Sequence, residues 1–180
     1  MNSLSQYIIE KLHLDKDTVS YNYHPKDRDE LKELVDKLIE ERGNNADLND
    51  IDVSDITDMN KLFYKLDFNG DISRWDVSNV TNMRGLFWVC PFNGDISDWD
   101  VSNVTDMEYM FMGNKKFNGD ISNWNVSNVE NMGGMFYGAS KFNGDISSWN
   151  TKKVTCMRDI FYQCPLNKNK PSWWRIIRKK

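Results

Sequence analysis

Between residues 44 and 167 the apolar positions recur in one order: Phe, Ile four residues on, Trp three further, then Val, Val, Met and a final apolar–Phe pair at steps of two or three. The block FNGDISRWDVSNVTNM at 68–83 returns as FNGDISDWDVSNVTDM, FNGDISNWNVSNVENM and FNGDISSWNTKKVTCM. Phe68, Phe92, Phe117 and Phe142 lie 24, 25 and 25 residues apart, and Trp75, Trp99, Trp124, Trp149 and Met83, Met107, Met132, Met157 keep step. A period of that length marks repeats that bury their apolar faces only against one another. The register reaches back to Asn45, Ala46, Asp47, Leu48 and Ile51 and forward to Leu166, Asn167 and Trp173. Five repeats follow, at 44–67, 68–91, 92–116, 117–141 and 142–165, with a C-terminal cap and basic tail at 166–180.

Inside a repeat, Ile72-x-x-Trp75-x-Val77-x-x-Val80 predicts a short strand at 74–78, pairing in parallel with its neighbours about 4.8 Å away. Val80, Met83, Leu86 and Phe87 then change to spacings of three and four, which predicts a short helix. Thr105-Asp106-Met107-Glu108 fits a capping box at its start. The expected fold is therefore an α/β solenoid of leucine-rich-repeat-like coils, each a strand, a helix and a return loop. Residues 1–43 are expected to cap its first coil. Leu31, Leu34, Val35, Leu38 and Ile39 fall on one face of a helix over 27–42, bounded by Asp27 and Gly43. A short helix at 4–12 and a strand at 18–24 are predicted before it.

Charge divides the 180 residues unevenly: residues 1–43 contribute −3, 44–164 contribute −7 and 165–180 contribute +6, for a net −4. An acidic body argues against nucleic-acid binding, whose affinity rests on Lys and Arg. The N-terminus lacks a basic region leading into an unbroken apolar one, and no apolar run has transmembrane length. A cytoplasmic location is the expectation. Cys90, Cys156 and Cys164 are an odd set without metal-ligand spacing, which fits reduced thiols. His13 and His24 have no cysteine nearby, and neither a P-loop nor a dinucleotide fingerprint is present. Repetition also places every carboxylate in nearly the same environment, whereas a catalytic pair needs unlike ones. Neither an enzyme nor a cofactor is expected.

The pattern F-N-G-D-I-S-x-W-[DN]-V-S-N-V-x-x-M over 44–167 resembles the BspA-like, leucine-rich-repeat-related repeats of bacterial surface proteins, mycoplasma lipoproteins and some large DNA viruses. The resemblance implies a non-enzymatic recognition module, in that family often held at a cell surface.

Residues repeated in every coil form columns, and identical columns are expected to be structural. Asn45, Asn69, Asn93, Asn118, Asn143 and Asn167 suit a ladder, since an amide both donates and accepts. Gly70, Gly94, Gly119 and Gly144 suit a turn with positive φ. Asp47, Asp71, Asp95, Asp120 and Asp145 repel one another unless backbone N–H groups, solvent or a cation compensates. Calcium is a candidate only superficially, because D-F-N-G-D lacks the Gly and Glu spacing of an EF-hand loop. Partner binding is sought where columns vary. One candidate is the strand face, Arg74, Asp98, Asn123, Ser148 with Asp76, Asp100, Asn125, Asn150. The other is the aromatic stripe Tyr64, Trp88, Met112, Tyr137, Tyr162, which alternatively packs over the next coil. The expected function is protein–protein interaction through the strand face, partner unidentified. An acidic inhibitor imitating nucleic acid and a surface adhesin are the alternatives. The tail KNKPSWWRIIRKK is expected to close the last coil, with Trp173 in core register, rather than to meet a membrane or nucleic acid.

Overall fold

The structure, a computed structural model, describes residues 21–177. The helix expected at 4–12, the first part of the strand expected at 18–24, and His13 lie outside the described residues. Helix α1 spans Arg28–Arg42. It starts where the Asp27 carboxylate accepts the N–H groups of Asp29 and Glu30 at 2.9 and 3.0 Å, and it ends at Gly43, φ +86°. Its buried face of Leu31, Val35 and Leu38 joins the core, and Arg28 Nε donates to the Asn60 carbonyl of the first coil at 3.1 Å. Tyr23, from the segment expected as a strand, makes a single parallel bridge with Ile51.

The coils overturn the expected α/β architecture. Among the described residues the helices are α1, a 3-10 turn at Pro165–Asn167 and α2 at Ser172–Ile177, so none falls inside the five repeats before residue 165. Strands are replaced by isolated parallel bridges such as Asp58 with Asn82, Asn82 with Asp106, Asp106 with Asn131 and Asn131 with Cys156. Among the described residues no sheet forms, and the strand-plus-helix coil of a leucine-rich repeat is not built.

Hydrogen-bond direction explains the difference. The N–H groups of Met83, Gly85, Phe87 and Val89 donate to the carbonyls of Asp106, Glu108, Met110 and Met112 in the next coil, at 2.8–2.9 Å. The intervening N–H groups of Leu86, Trp88 and Cys90 close tight turns onto Met83, Gly85 and Phe87. A helix would send every N–H back to residue i−4; here alternate ones link coils. The alternation requires left-handed backbone at residues 61, 85, 109, 134, 159 and at 65, 89, 113, 138, 163, with φ between +55° and +69°. Glycine supplies four of these ten positions, and Val89, at φ +55°, is the β-branched exception. Left-handed backbone costs an L residue about 1–2 kcal/mol. Val89→Gly is therefore expected to raise unfolding free energy by about 1 kcal/mol after allowing for glycine's chain entropy. Denaturant melts check this, and an unchanged or lower midpoint contradicts it.

Phenylalanine fills the centre in two parallel files. Phe63, Phe87, Phe111, Phe136 and Phe161 stack at 5.5–6.1 Å between ring centroids, and Phe68, Phe92, Phe117 and Phe142 at 5.8–6.5 Å. Beside them Trp75, Trp99, Trp124, Trp149 and Trp173 are buried, each indole N–H donating at 2.8–3.2 Å to a carbonyl of the preceding coil: Leu48, Ile72, Ile96, Ile121 and Ile146. The tail's Trp173 thus completes the Trp column.

The repeated polar columns serve the same stack. Asn69, Asn93 and Asn118 side-chain oxygens accept the N–H of Asn93, Asn118 and Asn143 at 2.7–2.9 Å. At the ends the ladder differs: the Asn44 carbonyl accepts from Asn69, and the Asn167 N–H returns to Cys164. A second file runs from Asn79, Asn103 and Asn128 Nδ2 to the carbonyls of Ser54, Ser78 and Ser102. Gly70, Gly94, Gly119 and Gly144 are not among the positive-φ glycines, which corrects the expected turn role. They are needed for clearance: a Cβ on Gly70 would lie 2.0 Å from the Ala46 carbonyl oxygen.

Candidate interaction surfaces

The face expected from strands consists of two columns that turns, not strands, hold outward. Arg74, Asp98, Asn123 and Ser148 are exposed, as are Asp76, Asp100, Asn125 and Asn150. The second column has an architectural task. Asp76, Asp100, Asn125 and Asn150 accept, through Oδ1, the backbone N–H two residues ahead, at 3.0, 2.9, 3.2 and 3.4 Å. Such Asx turns fix a corner without ladder bonds. In the first column the Ser148 hydroxyl donates to the Ser122 carbonyl at 3.0 Å, and the Arg74 N–H to Asn49 Oδ1 at 2.8 Å.

The Asp column makes the same turns. Asp47, Asp71, Asp95, Asp120 and Asp145 accept from the N–H of Asn49, Ser73, Ser97, Ser122 and Ser147 at 2.9–3.0 Å. Donation from the Ser73, Ser97 and Ser122 N–H groups holds Asp71, Asp95 and Asp120 below the ordinary carboxylate range, and the Ser147 side chain does most for Asp145. Asp71 and Asp120 push Asp95 the other way, more weakly. Among the described residues no group of three or more His, Cys, Asp or Glu side chains is placed to hold a metal ion. A carboxylate whose folded pKa is lowered contributes stability above its unfolded value of about 3.9 and loses it as pH falls toward the folded one. Thermal midpoints are therefore expected to fall steadily below about pH 4. A midpoint that rises between pH 5 and pH 3 would contradict that.

Half a repeat further along the chain, the aromatic stripe forms a surface of different chemistry. Tyr64 and Trp88 rings lie 4.6 Å apart, Tyr137 and Tyr162 4.8 Å, with half-buried Met112 between the two pairs. Side chains outside the expected stripe join it. Tyr109 packs 5.5 Å from Trp88, and Arg84 lies 5.5 Å above the Tyr109 ring while pairing with Glu108. Lys61 sits 5.9 and 5.7 Å from the Tyr64 and Trp88 ring centres, and Lys65 5.0 Å from Tyr64. Glycine at 134 admits Tyr109, because a Cβ there would come within 2.7 Å of its ring. Packing over the next coil is thus part of the stripe's role, yet it leaves hydrophobic surface: Val89 is 49% and Tyr162 47% exposed. The signal for Lys61, Tyr109 and Val89 is in the sequence, two residues before or after Phe63, Phe87 and Phe111, at columns whose residue type changes from coil to coil.

The cysteines are free. Cys90 and Cys164 are buried and donate to the carbonyls of Phe68 and Phe142 at 3.2 and 3.4 Å, a place Asn114 Nδ2 fills toward Phe92 at 2.9 Å. Burial pushes the Cys90 thiol up to about 11 and raises Cys164 as well, so both are poor nucleophiles. Cys156 is exposed in the column that carries Asp58, Asn82, Asp106 and Asn131.

Among the described residues no helix is long and apolar enough to cross a membrane. No curated protein and no solved structure matches the chain. A family model matches residues 30–111 and again 67–174, covering α1 from its third residue, the five coils and the start of α2. The second match begins one coil into the first, as a repeat permits, and the chain belongs to the family described as Mycoplasma protein of unknown function, DUF285.

Proposed function

We propose that the chain is a non-enzymatic module that binds a protein partner through the lateral aromatic and cationic face running from Lys61 to Tyr162. The observation that carries this reading is that Val89 and Tyr162, the large hydrophobic side chains exposed among the described residues, both stand on this face. Tyr162 stacks on Tyr137, and the face also carries Trp88, Lys61, Lys65 and Arg84, a combination of types common in interface cores. The expected strand-face site is the weaker surface of the two, because half of its residues are engaged in turns. The likeness to BspA-like surface repeats and membership of a mycoplasma family favour a role at the cell surface, as an adhesin. Protease shaving of intact cells tests the location.

The acidic columns favour a second reading, an inhibitor that imitates nucleic acid, since Asp71, Asp95, Asp98, Asp100 and Asp120 all point outward. One experiment separates the two. Immobilised chain captures its partner from host lysate, and Val89→Glu and Lys65→Glu are expected to abolish that capture while Asp98→Lys with Asp100→Lys leaves it. The reverse pattern, with capture lost steeply as salt rises, establishes the acidic reading instead.

A further inference from the structure

One row of the inter-coil hydrogen bonds donates forward, from each coil to the next, and its last rung is open. At every junction, N–H groups at alternate positions donate forward: Met132, Gly134, Phe136 and Gly138 reach the carbonyls of Cys156, Arg158, Ile160 and Tyr162. In the final coil the equivalent donors are Met157, Asp159, Phe161 and Gln163. Among the described residues none of these four N–H groups has an acceptor, although Asp159 and Gln163 keep the left-handed φ of +56° and +55° that aims earlier coils forward. The opposite end is closed, because α1 covers it and Arg28 takes the Asn60 carbonyl.

Beside the open donors lies a cavity of about 520 Å³ lined by Met157, Ile160, Phe161, Tyr162, Lys170 and Trp174, among others. The surrounding charge is one-sided. From residue 151 to 177 the bases are Lys152, Lys153, Arg158, Lys168, Lys170 and Arg175, against the single acid Asp159. Lys170 lies 4.6 Å over the Trp174 ring, and the Arg158 side chain is 90% exposed.

We propose that this C-terminal edge docks an acidic peptide segment of a partner protein, wound in the same tight turns as residues 106–112, which extends the ladder by one more rung. The occupant must offer carbonyls at every second residue, as Asp106, Glu108, Met110 and Met112 do for the second coil. Two copies of this chain meeting edge to edge would face this row of donors with the same row of donors, and a head-to-tail copy is blocked by α1. Acidic side chains on the segment complement the bases around the cavity. This site is separate from the lateral face proposed above.

The test uses a synthetic peptide, TDMEYMFMGN, copied from residues 105–114, and residue-resolved amide exchange on the full chain. In the free chain the amides of Met157, Asp159, Phe161 and Gln163 are expected to exchange much faster than those of Met132, Gly134, Phe136 and Gly138. Added peptide should slow the four open amides at least about tenfold, and Arg158→Glu with Lys170→Glu should weaken peptide binding by about tenfold or more. Val89→Glu and Lys65→Glu, which lie on the lateral face, should not change it. Slow exchange of the four amides in the free chain would overturn the proposal, as would no response to millimolar peptide. Protection that instead rises with protein concentration, together with a dimer in sedimentation, would assign the edge to a second copy and overturn it too.

Discussion

Phe111→Ala is expected to lower unfolding free energy by about 3–5 kcal/mol, the range for deleting a buried aromatic ring. Phe111 has no exposed surface and touches three other rings, at 5.5 Å (Phe87), 4.1 Å (Phe117) and 5.7 Å (Phe136). It stands in the third of five coils, so the cavity would open at the centre of both phenylalanine files. Each coil here rests only on its neighbours, which makes stability a sum over junctions, and a weakened middle junction affects both halves. Phe111→Leu keeps most of the volume and should cost far less. Urea melts of the two variants check this; a Phe111→Ala loss under about 1 kcal/mol would mean that the files do not bear the core.

How much of this was legible in the sequence depends on what each residue type reveals. The period, the Trp and Phe columns, Asp27 and Gly43 at the ends of α1, and Trp173 in the sixth register are all written in side chains. The secondary structure inside a coil is not. Val80, Met83 and Leu86 recur at three residues both on a helix and in successive tight turns facing one core. What separates the two is where the intervening N–H groups point, and that is set by left-handed backbone at the columns of Gly85 and Gly113. Glycine marks those columns at 85, 113, 134 and 138, but Lys61, Lys65, Val89, Tyr109, Asp159 and Gln163 conceal them. The interaction surfaces show the same limit. That Asp76 and Arg74 alternate with apolar neighbours was readable; that Asp76 is engaged in a turn while Val89 faces solvent depends on backbone direction.

The glycines that precede the Asp column give the other large effect, because their surroundings are graded along the stack. An added Cβ would meet the Ala46 carbonyl oxygen at 2.0 Å and the Phe68 ring at 2.6 Å on Gly70. On Gly94 the nearest atoms are ring carbons of Phe92 at 2.8 Å, with the Gly70 carbonyl oxygen at 3.1 Å. On Gly119 and Gly144 the nearest are phenylalanine rings at 3.0 and 3.1 Å, with the neighbouring carbonyl at 3.7 Å. A ring edge can shift by a few tenths of an ångström, whereas a carbonyl fixed in the Ala46 to Asp71 hydrogen bond cannot move without parting the first two coils. Gly70→Ala is accordingly expected to cost about 3 kcal/mol or more and Gly144→Ala about 1 kcal/mol, with Gly94→Ala and Gly119→Ala ranked between them. None of the four has the positive φ that would make alanine costly for backbone reasons, so the ranking reads clearance alone. Melts of the four variants decide it. Equal losses would mean that the repeats are interchangeable at this column, and the reverse order would place the tightest junction at the C-terminal end, beside the open edge.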